Sequence, residues 1–195
     1  VIGKLMPGAR PKTIGVWPVG GGEMGERIRR HDWLATPLGP LEAWPQSLKT
    51  AVDTTLGSPV PSLITWGVEH VVLYNDAYAS LFGTLHPDVL GQPTAVGLAG
   101  FWNDLCPRYE RVLAGETITL ENIAETYARF EQRETFYFTA HYSPLRVETG
   151  IIAGVLVQVF DTTEQVKAGM GLKESEVRYR GIVEQATVGV SQTDL

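Results

Sequence analysis

The stretch SLITWGVEHVVLYNDAYASLFG, residues 62–83, decides the fold of this chain. Residues 62–66 and 70–74 are two β-branched or aromatic runs. Gly67-Val68-Glu69 separates them, which predicts a β-hairpin. Asn75-Asp76 follows, a pair suited to starting a helix because a short side-chain oxygen can accept from a free amide of the first turn. Residues 77–82 then predict a short helix that stops at Gly83.

Downstream, residues 84–100 are rich in Gly and Pro and predict only short helical pieces. Residues 101–113 predict a helix with Phe101, Leu105, Tyr109 and Val112 or Leu113 along one face, although Pro107 argues against an unbroken one. Three strands follow, over 117–123, 134–145 and 151–160. A turn at Glu148-Thr149-Gly150 joins the last two. In the middle strand Phe136, Phe138, Ala140 and Tyr142 form the apolar face, so Tyr137, Thr139 and His141 point the other way. Two strands, several short helices and three strands predict an α+β domain. Its five-stranded antiparallel sheet carries the short helices on one face.

Upstream, residues 23–34 predict a short helix with Met24 and Ile28 four apart. Thr36-Pro37-Leu38-Gly39-Pro40 breaks it. A second helix spans 41–57, with Leu41, Trp44, Leu48, Val52 and Leu56 recurring at steps of three or four. Trp33, Pro37, Leu38, Trp44 and Pro45 read as packing residues that cover the open face of the sheet or meet a second copy. Residues 1–22, Gly- and Pro-rich, read as a flexible, loosely packed segment. Beyond Asp161, residues 162–185 are charged and helical. Val166, Met170 and Val177 make a weak stripe, and Gly169 and Gly171 weaken that helix by about 1 kcal/mol each relative to Ala.

The chain has 195 residues, 44% of them hydrophobic, enough for one well-packed domain with flanking segments. Its 22 acidic and 16 basic residues give a formal net charge of -6. An acidic chain gains nothing from the counterion release that drives nucleic-acid binding, so no nucleic-acid partner is expected. The single Cys106 cannot form an internal disulfide, which fits a reducing cytoplasm. No apolar run approaches the ~18 residues that span a bilayer, so no direct membrane insertion is expected. The four histidines are scattered, without HExxH or Cys/His spacing for a metal. There is no GxSxG, Walker loop or dinucleotide fingerprint. Gly20-Gly21-Gly22 precedes a helix, but no strand leads into it, so it carries no phosphate signal. The segment is expected not to be an enzyme.

Three stretches resemble the PAS family. TWGVEHVVLYNDAYASLFG (65–83) is similar to the opening hairpin and first helix of PAS domains. FYFTAHYSPLR (136–146) is similar to the long PAS strand, and GVLVQVFDTTE (154–164) to the last strand closing in D-x-T. EMGERIRRHDWLATPLGPLEAWPQSLKT (23–50) resembles the leader before a PAS domain in bacterial hybrid histidine kinases. Residues 174–195 resemble the start of a second PAS repeat. The resemblance implies a flexible segment over 1–22, a helical leader over 23–60, a PAS core over 61–163, a connecting helix over 164–187 and the beginning of a second PAS domain over 188–195.

It also implies a sensory module of a two-component protein, with a homodimer and downstream PAS or kinase domains of the same polypeptide as partners. PAS proteins commonly hold a small molecule between sheet and helices. Trp66, Tyr74, Phe82, Phe101, Trp102, Phe138 and Val157 are the candidate lining. They equally serve as plain core, the weightier reading because aromatics bury large areas. The cofactor is therefore none, or an unknown small molecule. Flavin photochemistry of the LOV kind is disfavoured. Cys106 lacks the Asn-Cys-Arg setting, Val159 stands where a Gln is needed, and Cys106 reads as a small buried hydrophobe. Haem lacks an axial His on the helix over 101–113, and His141 points outward. Asp161 and Thr163 sit where the last strand becomes the exit helix, and the resemblance makes them the signal relay. As an ordinary helix start they are worth about 1 kcal/mol.

Overall fold

The computed structural model describes residues 17–129 and 132–190. The sheet has five antiparallel strands in the order β2-β1-β5-β4-β3. They are β1 (Ser62–Trp66), β2 (Val71–Tyr74), β3 (Ile118–Arg129), β4 (Gln132–Arg146) and β5 (Ile152–Asp161). The leader holds α1 (Gly22–Arg30) and α2 (Gln46–Leu56). Between β2 and β3 lie α3 (Asp76–Phe82), α4 (Thr94–Gly97) and α5 (Trp102–Leu113), and after β5 comes α6 (Thr163–Val190). The chain divides into two compact units. Among the described residues, one holds those up to Ile118 with His141–Val159, and the other those between Thr119 and Ala140 with those from Phe160 onward.

In the first unit β1 pairs with β2 and β5, and the register decides what each face sees. Leu63 pairs with Tyr74 and Val157, Thr65 with Val72 and Val155, Ile64 with Leu73 and Leu156, and Trp66 with Val71 and Gly154. Paired residues share a face, and neighbours along a strand alternate. Tyr74 stacks edge-on against Phe82 of α3, with ring centroids 4.8 Å apart. Leu63, Thr65, Tyr74 and Val157 therefore face the short helices. Leu156 lines a groove together with Thr50, Ala51 and Thr54 of α2, so Ile64 and Trp66 face the leader. Gly154 is needed opposite Trp66. A Cβ there would lie 2.5 Å from the Thr65 carbonyl oxygen and 2.7 Å from the Trp66 ring.

The leader is packed. Met24, Ile28, Trp33, Trp44, Leu48 and Val52 are all buried, each large aliphatic contributing roughly 1.5–3 kcal/mol. Trp33 and Trp44 meet edge-to-face at 4.8 Å. Their ring nitrogens donate to the carbonyls of Ile28 (2.6 Å) and Gly39 (3.0 Å). Residues 1–16, expected to be flexible, lie outside the described residues. Trp17 and Pro18 do pack: Trp17 lies edge-on to Trp44 at 5.8 Å and Pro18 is buried.

Several boundaries differ from expectation. The helix expected over 41–57 splits into a 3-10 turn at Leu41–Ala43 and α2, because Pro45 fixes extended backbone at its neighbour and suits a helix start. The helix expected over 23–34 ends at Arg30, and Trp33–Ala35 form a separate 3-10 turn. Pro107 sits inside α5 without breaking it. Its missing N–H would have met the carbonyl of Asn103, and that residue is exposed, so water can take its place. Cys106 is half-buried, its thiol 3.9 Å from Glu110, rather than a buried hydrophobe. The exit helix runs three residues past the expected end at 187. Val188–Val190 continue its backbone ladder instead of opening a strand. Residues 191–195 of the expected second domain lie outside the described residues.

Candidate functional site

On the helix-facing side of the first unit, six residues from five segments converge. Thr65 comes from β1, His70 from the turn before β2, Thr94 from the start of α4, Trp102 and Tyr109 from α5, and Tyr142 from β4. The His70 ring lies 5.3 Å from Tyr109 and 6.1 Å from Trp102, centroid to centroid. Tyr109 is 6.5 Å from Tyr142. Arg108 reaches the Tyr142 hydroxyl at 3.5 Å.

His70 adopts φ +53°, a left-handed conformation that L side chains favour little. Thr94 holds it there: the His70 carbonyl accepts from the Thr94 amide (3.1 Å) and hydroxyl (2.5 Å). The same loop lies along the open edge of β2. Val72 donates to Gln92 and accepts from Gly91, each at 2.9 Å.

Burial sets the electrostatics. It pushes the His70 imidazole below its ordinary value, because desolvation disfavours the charged ring. It pushes the Tyr109 phenol far above the usual range, and Tyr142 adds to that, while Thr65, Thr94 and Arg108 pull the other way. Nδ1 of His70 is shielded from solvent and has no hydrogen-bond partner among the described residues, while the shielded Oγ1 of Thr65 lies toward the Tyr109 phenol. Buried polar atoms normally find partners, and an orphan marks a place for a water or a ligand atom. The chemistry on offer is hydrogen bonding to a small polar molecule, with an imidazole and hydroxyls at the walls.

The expected lining is only partly gathered here. Tyr74 and Val157 are buried on this side of the sheet, while Trp66, although buried, faces the leader. Its position is one residue off Thr65, and a strand alternates faces at each step. Phe101 is 56% exposed, because α5 begins one residue later and leaves it in a 3-10 turn. Trp102 and Phe82 are half-buried. Phe138 is half-buried in the second unit. Thr65, His70 and Tyr109 lie outside the expected lining. Tyr109 lay on the apolar stripe of its helix, but a His in a turn gave no periodic signal.

A second polar cluster lies in the second unit, where β5 becomes α6. The Asp161 carboxylate accepts from the Thr163 amide at 2.8 Å. Thr163, 5% exposed, accepts on its hydroxyl from the Tyr137 amide at 2.9 Å. The Tyr137 carbonyl accepts from the Thr162 amide at 2.8 Å, and the Thr162 hydroxyl donates to Asn122 at 3.0 Å. Hydrogen bonds from Thr163 hold the Asp161 carboxyl below its ordinary value. The first turn of α6 is thus tied to β3 and β4 by named bonds.

Residues 59–167, more than half of the chain, match the family described as the PAS fold. This chain belongs to the PAS-fold family. No curated protein matches it in sequence. Among solved structures it is similar to an RNA-binding light-oxygen-voltage receptor (19% identity, TM-score 0.46, 75% of this chain and 42% of that one). It is similar also to the phage VqmA–DPO complex (20%, 0.49, 74% and 60%) and to the PAS domain of BvgS from Bordetella pertussis (19%, 0.41, 66% and 96%). The chain spans less than two thirds of the length of the first two. The PAS match runs from three residues before β1, through the D-x-T junction, into α6. Among the described residues no helix is long and apolar enough to cross a membrane, and no group of His, Cys, Asp or Glu is arranged to hold a metal.

Proposed function

We propose that this chain is the sensory PAS module of a bacterial sensor histidine kinase of the two-component type. It relays a ligand- or partner-induced change through α6 to a downstream kinase, and it has no catalytic role of its own. The carrying observation is the bond network at the junction. Asp161, Thr162 and Thr163 connect the first turn of a 28-residue helix to the backbone of Tyr137 and the side chain of Asn122. A helix whose start hangs on strand backbone responds to small strand displacements, because hydrogen bonds lose strength steeply with angle and distance.

The orphaned Nδ1 of His70 supports a small polar molecule as the sensed input. The module works as a cytoplasmic homodimer, with a second PAS repeat following it. Thr163→Val keeps the shape and removes the hydroxyl, so in the parent kinase it should change autophosphorylation several-fold while the sheet stays folded. Unchanged autophosphorylation would overturn the relay. Native mass spectrometry of this chain tests the remaining claims, expecting a dimer and a retained small-molecule mass.

A further inference from the structure

Both leader helices begin without a cap of their own, since neither Gly21 nor Pro45 supplies a side-chain bond. Carboxylates from far along the chain close them instead. Asp76 accepts from the amides of Glu23 (Oδ2, 3.1 Å) and Met24 (Oδ1, 2.7 Å) at the start of α1. Glu148, in the turn between β4 and β5, accepts from the Ser47 amide (2.9 Å) and hydroxyl (3.4 Å) at the start of α2.

The approach to α1 is shaped for an anion. Gly20, Gly21 and Gly22 all have positive φ, at 78°, 79° and 59°, a left-handed path that favours glycine and leads the chain into α1. A Cβ at Gly22 would overlap the Asp76 carboxylate, and one at Gly25 would overlap the Gly20 carbonyl. Arg29 braces the turn from behind by donating to the carbonyls of Pro18 and Gly20. The positive end of the helix dipole adds to the attraction. A second contact runs from the same helix to the core. Glu23, paired with Arg27 at 2.7 Å, also meets Nε2 of His86 at 3.3 Å, and Nδ1 of His86 bonds the Tyr74 hydroxyl at 2.9 Å.

We propose that Gly20–Met24 is a carboxylate-binding site whose ligand is Asp76 of the same chain, and that this clasp fastens α1 of the leader to the PAS core. Glu148 is its counterpart on α2. The glycine run, which carries no phosphate signal, leaves room at Gly22 for the Asp76 carboxylate, and the Glu23 and Met24 amides bind it.

The test is amide exchange in the full chain. Asp76→Ala should speed exchange at Glu23, Met24 and along α1 by about fivefold or more, the scale of a lost cap, and leave β1 and β2 amides unchanged. Sodium formate should slow it again, because free carboxylate can enter the vacated cradle, whereas equimolar sodium chloride should not. Exchange at Glu23 and Met24 unchanged in Asp76→Ala would overturn the proposal, as would formate acting no better than chloride. Should Asp76→Ala fail to fold, Asp76→Asn, which keeps the size and one acceptor oxygen, carries the same readout at Glu23 and Met24.

Discussion

Asn75 and Asp76 are adjacent in the chain and serve helices in two different regions. Asn75 closes the helix that follows it, its Oδ1 accepting from Tyr78 at 3.0 Å. The same oxygen accepts from the Ser62 amide at 3.0 Å. Its Nδ2 shares two hydrogens among the carbonyls of Thr55, Ser58 and Val60, at 3.1, 3.0 and 2.8 Å. Asp76 reaches back to α1, whose own preceding residues are glycines. Among these, α3 and the exit helix carry their caps in sequence, at Asn75 and Asp161, whereas the leader helices borrow theirs from Asp76 and Glu148. A helix with a local cap can start wherever it stands, but one with a borrowed cap is complete only when docked. The leader is thus specified by the core it covers.

The largest effect that would sharpen this contrast belongs to Asn75→Ala. It strands several buried backbone groups at once, each worth about 1–3 kcal/mol when unpaired. A loss of roughly 3 kcal/mol or more in urea unfolding, followed by tryptophan fluorescence, is expected. A loss below about 1 kcal/mol would show that water substitutes freely and would break the contrast.

Thr163→Val comes next, leaving the Tyr137 amide without its acceptor at a buried position. The expected loss is about 1–2 kcal/mol, with faster amide exchange in the first turn of α6. Glu148→Ala should be smaller in global stability, because the carboxylate is exposed. Its signature is local: faster exchange at Ser47, 101 residues away, with the exit helix unaffected.

The smallest effect is in the acid titration. Bonds to the Glu148 backbone and to Ser47 hold the Glu148 carboxyl below its ordinary 4.5, and bonds from Thr163 hold Asp161 below 3.8. A lowered folded value means stabilisation that is complete above the ordinary value and is lost as pH falls through the folded one. In an NMR titration the Thr163 amide should therefore move below pH 3.8 and the Ser47 amide below 4.5. A Ser47 amide that ignores Glu148 would break the borrowed-cap reading.

Much of the fold was legible because it is written in local chemistry. Residues 62–66 form a strand with the bounds read from their composition, and the turn, the Asn75 cap and the following helix fall where side-chain type demands. The D-x-T junction was legible for the same reason, since Asp161 bonds a residue two positions on. The candidate site was less so. Trp66 was grouped with Tyr74 and Val157 as an aromatic in the right region, yet strand parity puts it on the other face. No periodic signal marks His70, because its place depends on a left-handed turn that Thr94, 24 residues later, holds in place.

By itself the sequence determined the period of each segment, the hairpin, the local caps and the acidic charge, since all of these depend on residues within a few positions of one another. Only the tertiary structure decided which carboxylate closes which leader helix, which face each aromatic meets, and which buried atoms go unpaired. Those follow from segments that meet across 50 to 100 residues, as Asp76 meets Met24 and Glu148 meets Ser47. Burial then makes every such meeting consequential, because a polar atom removed from water must find its partner wherever the fold has brought one.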